Sequence, residues 1–212
     1  MSNHLPGIKL FFISLILSLA YLIGFEPFGY KFIGLLSVSV LFYFASRLEA
    51  RKAALLFFLF GFFLYCFGLY WLYISIHIVS GAPKILALIL IAILSAYLSV
   101  FYSIFGFIFV RLHKRILNEW ISFLLIAPSL WTLLEIIRGY SLTGFPWFSL
   151  GYMETASLVS SWAPIGGVYL VSLIMAIIAS SILLVFLKRS VMSGSFIILI
   201  IVSSYFLSIH DW

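Results

Sequence analysis

The stretch ILALILIAILSAYLSVFYSIFGFIFV, residues 85–110, carries no charged residue. It is longer than the roughly 20 apolar residues a helix needs to cross bilayer hydrocarbon. Strands of a membrane barrel are shorter and alternate in polarity; this run does neither, and Lys84 and Arg111 bound it. It reads as one transmembrane helix. Breaking the rest of the chain at charges, Pro and Gly gives similar runs near 8–24, 31–46, 53–75, 120–137, 164–187 and 194–209. In lipid the backbone must satisfy its own polar groups, so each run is expected to be helical. The fold class is therefore all-α: a polytopic membrane helix bundle of about seven transmembrane helices.

Composition supports the same class. The chain is 65% hydrophobic and 8% charged, holds 23 phenylalanines and has a mean hydropathy of +1.27, so the polar remainder cannot build the surface of a soluble globule. The N-terminal MSNHLPGIKLFFISLILSLAYLIGF has the basic and apolar parts of a signal peptide, but GFEPFGY follows in place of a small-residue cleavage site, which makes it a retained first span. No repeat or long polar linker divides the chain, so residues 1–212 are expected to form one transmembrane bundle.

The formal charge of +6 suggests no nucleic-acid partner, because the basic residues sit at the ends of apolar runs rather than in a patch. They act instead as topology signals. With a cytoplasmic N-terminus, the inner segments hold Lys9, Arg47, Arg51, Lys52, Arg111, Lys114, Arg115, Lys188 and Arg189, and the outer ones only Lys31, Lys84 and Arg138. An excess of Lys and Arg in short inner loops sets orientation. Seven spans then leave the C-terminus, His210–Trp212, extracytoplasmic.

Chemistry-bearing residues concentrate in LLEIIRGYSLTGFPWFSLGY, residues 133–152. Glu135 and Arg138 are three apart, so on a helix they share a face and can pair; a planar guanidinium also suits phosphate, and hence a phospholipid headgroup. Ionisable groups in a span are candidates for function, although near a helix end they can simply snorkel to the interface. Gly144 allows unusual dihedrals, Pro146 stops a helix, and Phe145 and Trp147 are rings that prefer the interface. The four suggest a bent segment dipping into the outer leaflet, or an aromatic anchor alone. Gly61, Gly68, Ser95 and Ser99 lie at spacings that let helices approach closely. Glu26, beside Pro27, reads as part of a turn. His77 has no partner at metal-ligand spacing, so no metal is expected, and Cys66, among aromatics and remote from any base, reads as an inert thiol.

Trp131, Glu135, Arg138, Thr143, GFPW and Leu150-Gly151-Tyr152 in this order, followed by APIGG at 163–167, resemble the bacterial apolipoprotein N-acyltransferases. FEPFGY at 25–30, GLYWLYISIHIVSGAP at 68–83 and LSAYLSVFYSIFGF at 94–107 agree. The resemblance implies transfer of an acyl chain from a phospholipid donor to the N-terminal diacylglyceryl-cysteine amine of lipoproteins, at the outer face of the bacterial inner (cytoplasmic) membrane, with no cofactor. It also implies a nitrilase-like domain carrying the catalytic triad, followed by a last span. The sequence in hand stops at SIHDW, where that domain would begin. No catalytic residue of the family therefore has a counterpart here, and this chain alone is expected to be inactive. The positions the resemblance carries over are Trp71, Tyr73, Glu135, Arg138, Gly144, Phe145, Pro146, Trp147 and Tyr152. A non-catalytic lipid-binding scaffold remains open as an alternative. So does a small transporter, for which Pro128 and the broken GFPW region would be helix interruptions.

Overall fold

The computed structural model of the protein describes residues 6–116, 118–155, 157–188 and 191–210. Arg189, Asp211 and Trp212, used above for orientation, lie outside the described residues. Every predicted apolar run forms a helical segment: α1 (Gly7–Leu22), α2 (Lys31–Arg47), α3 (Ala50–Gly68), the short α4 (Tyr70–Tyr73), α5 (Lys84–Arg115), the short α6 (Glu119–Ile121), α7 (Ala127–Tyr140), α8 (Ala163–Lys188) and α9 (Val191–Ser208). Four of the segments are long and apolar enough to cross a membrane, namely Ala50–Gly68, Lys84–Arg115, Glu119–Tyr140 and Leu158–Leu187. The shorter apolar helices complete a membrane helix bundle.

Three of the runs are interrupted. The run expected at 53–75 breaks at Leu69, after which α4 passes into a π-turn over Ile74–Val79. The ring of Phe148 packs on Gly68, the last residue of α3; a Cβ there would come within 2.5 Å of it. In the run expected at 120–137, a π-turn over Ser122–Ile126 separates α6 from α7. Pro128 follows at once. Its ring clashes with the carbonyl four residues back and it has no N–H to donate, and a widened turn accommodates both. α8 is irregular at Gly166 and Gly167, where φ is −147° and +64°, so its first turn is set off from the rest.

The core converges on one ring. Trp131 of α7 is buried, with its centroid 5.3 Å from Tyr102 and 5.2 Å from Phe105 of α5, 5.8 Å from Phe42 of α2, 6.4 Å from Phe57 of α3 and 6.5 Å from Tyr21 of α1. Edge-to-face aromatic pairs of this kind add about 0.5–1.5 kcal/mol beyond burial. The broadest helix contact is α3 on α5. It is close because Gly61 faces Ser99 and Tyr102, and Gly106 faces the backbone of Ala53, which gives the small residues of these helices a packing role. α9 docks on the turn before α8, where the Ser161 hydroxyl donates to the Ser204 carbonyl at 2.9 Å and the Trp162 indole N–H to the Ser204 hydroxyl at 2.9 Å.

Candidate functional site

The α1–α2 and α7–α8 connections meet each other beside the end of α3 and the start of α4. The α7–α8 connection is built from its buried polar contacts upward. Ser141 ends α7 in extended conformation, and Gly144 turns the chain with φ +77°; a Cβ there would overlap the Gly139 carbonyl oxygen. Phe145 N–H then reaches back to the Arg138 carbonyl at 3.2 Å. Pro146 and Ser149 close a turn, Ser149 donating to the Pro146 carbonyl from its N–H at 3.2 Å and from its hydroxyl at 2.8 Å. Phe148 at φ +61° sends its ring inward onto Phe25 at 5.3 Å.

Glu135 and Arg138 hold this loop from below and do not pair with one another. Arg138 is only 2% exposed. Its guanidinium donates to the Tyr65 hydroxyl, to the Trp147 carbonyl at 2.7 Å and to the Ser149 hydroxyl at 2.8 Å, and it lies 5.7 Å and 5.9 Å from the ring centroids of Tyr65 and Tyr102. Glu135 is 3% exposed, and one carboxylate oxygen accepts from the Trp131 indole N–H and from Leu150 N–H, both at 2.8 Å. The two charges expected to form a pair are thus each spent on the loop. Spacing on one helix face permitted pairing, but the loop carbonyls and amides offered both groups partners in a buried site. Arg138 therefore serves as a brace, and it presents no free guanidinium to a headgroup. Tyr21 adds a further tie, its hydroxyl donating to the Phe148 carbonyl at 3.0 Å.

Above the brace lies a cleft of about 630 Å³, within the range of small-molecule sites. Leu22, Phe25, Glu26, Pro27 and Phe28 line it from the α1 side, Phe67, Gly68, Tyr70 and Trp71 from the end of α3 and α4, and Pro146, Trp147, Phe148, Tyr152 and Thr155 from the loop. Trp71 is 41% and Trp147 51% exposed. Of the nine positions singled out from sequence, Trp71, Pro146, Trp147 and Tyr152 meet in this cleft, with Glu135 and Arg138 beneath it. Gly144 shapes the loop. Phe145 packs beside it, 5.0 Å from Trp147 and 6.1 Å from Tyr65. Tyr73 stands apart, its ring 5.2 Å from His77, which itself bonds the Ala82 carbonyl at 2.7 Å.

Sequence reasoning missed Tyr21, Tyr65, Phe148 and Ser149. A tyrosine inside an otherwise apolar span was the available signal for the first two, because a buried hydroxyl needs a partner. Cys66 sits half-buried in α3. Lys31, counted among the outer cations, pairs with Glu154 at 3.5 Å and so ties α2 to the loop.

Fold and site together define a multi-pass helical membrane protein with an aromatic cleft at one end, floored by a loop that two buried charges hold in place. The apolipoprotein N-acyltransferase N-terminal domain family matches residues 17–181, and the chain belongs to that family. The apolipoprotein N-acyltransferase of Vibrio cholerae serotype O1 is 33% identical over 190 residues, covering 90% of this chain and 37% of that protein. That of Pseudomonas putida is 33% identical over 160 residues, covering 75% and 31%, and that of Methylococcus capsulatus is 29% identical over 182 residues, covering 84% and 36%. The chain thus spans about a third of the length of these relatives.

Proposed function

We propose that this chain is the membrane part of an apolipoprotein N-acyltransferase, and that its cleft takes the phospholipid acyl donor. The acyl chain would go to the N-terminal diacylglyceryl-cysteine amine of lipoproteins, with the transfer itself carried out by a nitrilase-like domain. The observation that carries the reading is the meeting of Trp71, Pro146, Trp147 and Tyr152 around one cleft, directly over a loop whose sequence is the family signature. Tryptophan and tyrosine settle at headgroup depth, so a cleft they line suits a molecule that is part headgroup and part acyl chain. In this reading the cleft end faces outward in the bacterial inner membrane, with the N-terminus cytoplasmic and the C-terminus extracytoplasmic, in accord with the charge bias of the loops.

A phospholipid with a photoactivatable group near its glycerol backbone tests the reading. Irradiated with the chain in maltoside micelles, it is expected to label Trp71, Trp147 or Tyr152, and Trp147→Ala should cut the yield severalfold. Labelling spread evenly over the outward faces of α5 and α9 would overturn it. Labelling at the cleft, without product when a nitrilase-like domain is supplied, would favour a non-catalytic lipid-binding scaffold.

A further inference from the structure

Glu26 is the only charged side chain among the described residues lining the cleft. It is exposed, and its carboxylate makes no hydrogen bond or ion pair with any described residue. Of the cations assigned to this end, Lys31 pairs with Glu154, Arg138 is spent beneath the loop, and Lys84, at the start of α5, is not among the residues lining the cleft. Around Glu26 the lining is rich in rings, with Phe28, Tyr70, Trp71 and Trp147 among them. A carboxylate that shares a cleft lining with several aromatic rings is a composition that recognises an ammonium group. The carboxylate supplies a charge-assisted acceptor and the ring faces supply quadrupole attraction, while the same carboxylate disfavours ligands of net negative charge.

We infer that Glu26 is a specificity-determining residue of the cleft, selecting ligands that carry an ammonium group near their polar end over ligands of net negative charge. The inference rests on the reading that the cleft takes lipid. Two sources share this chemistry: the ethanolamine headgroup of a zwitterionic phospholipid and the free α-amine of a diacylated lipopeptide. Beyond lying over Gly29 of its own turn, the Glu26 carboxylate makes no hydrogen bond or ion pair with a described residue, so Glu26→Gln, which keeps the shape, should leave the bundle intact.

The test uses the 212-residue chain in maltoside micelles with two photoactivatable phospholipids of identical acyl chains, one with an ethanolamine and one with a glycerol headgroup. In competition, the native chain should favour the ethanolamine lipid at cleft residues by about tenfold, the size of one charge-assisted contact at a partly exposed site. Glu26→Gln should bring the ratio close to one, and Glu26→Lys should invert it. A second arm competes the label with diacylated lipopeptide bearing a free or an acetylated α-amine. Preference for the ethanolamine lipid assigns the ammonium to the headgroup; competition by the free amine alone, lost in Glu26→Gln, assigns it to the peptide. Equal cleft labelling by both lipids, with both lipopeptides competing alike, overturns the role of Glu26 and leaves the lipid cleft standing. No cleft labelling by either lipid overturns both.

Discussion

Replacing Arg138 by alanine should release the 144–152 loop while leaving the helices in place. The guanidinium is the donor for the Trp147 carbonyl and the Tyr65 hydroxyl, whereas the Ser149 hydroxyl keeps its bond to the Pro146 carbonyl. Each buried acceptor left without a donor costs about 1–3 kcal/mol. Two such groups put the loss at about 3 kcal/mol, which acts on local opening of the loop. At about 1.4 kcal/mol per decade, amide exchange should then accelerate on the order of 100-fold. The reporters are the N–H groups of Phe145, Ser149, Leu150 and Tyr152, which bond to Arg138, Pro146, Glu135 and Ser149 respectively. Hydrogen–deuterium exchange read by mass spectrometry on the detergent-solubilised chain measures them, with peptides from α3 and α5 as internal controls. Arg138→Lys should fall between, since an ammonium retains charge without the planar fork that reaches three acceptors. Loop exchange within about threefold of native in Arg138→Ala, with α3 and α5 still protected, would refute the brace.

Glu135→Leu should destabilise the chain by about 2–5 kcal/mol, because it strands the Trp131 indole N–H and the Leu150 N–H in a buried site; Glu135→Gln, which keeps an acceptor oxygen, should lose about 1 kcal/mol, and thermal unfolding in detergent separates the two. In a Cys66→Ser background, cysteines placed at 47–52 and 111–115 should resist a membrane-impermeant maleimide in intact cells, and one at Gly81 should react. Reaction in the opposite sense would reverse the proposed orientation. The 212-residue chain mixed with acyl-labelled phospholipid and diacylated lipopeptide should form neither acyl-enzyme nor product, because covalent transfer needs an activated nucleophile beside a base and Cys66 lies in α3 among phenylalanines. A thioester that disappears in Cys66→Ser would overturn that.

The spans were legible because hydropathy alone dictates them: residues 85–110 could be nothing but a helix in lipid, and α5 covers them. The interruptions were partly legible. Pro128 announced a disturbance in its helix, but the form it takes, a π-turn just upstream, depends on how α6 and α7 settle against α5. The break at Leu69 had no local mark, and the ring packed on Gly68 beside it belongs to Phe148, 80 residues further along the chain. The site followed the same rule. Gly144, Pro146 and Trp147 marked the loop through backbone and interfacial preferences that act locally. The roles of Glu135 and Arg138 depended on Tyr65, Trp147, Ser149 and Leu150, partners that local spacing does not rank. Of these, Tyr65 is 73 residues from Arg138.

The loop over α7 meets any ligand already shaped. Its carbonyls and amides are held by the buried side chains of Tyr21, Glu135 and Arg138 beneath it, so the entropy of ordering residues 144–152 is lost during folding. Association with a preorganised surface forgoes little conformational freedom, and release need not wait for a floor to unfold. On the proposed reading of the cleft as a lipid site, such a floor suits a ligand that is exchanged, in a membrane where other lipids are always at hand to take its place.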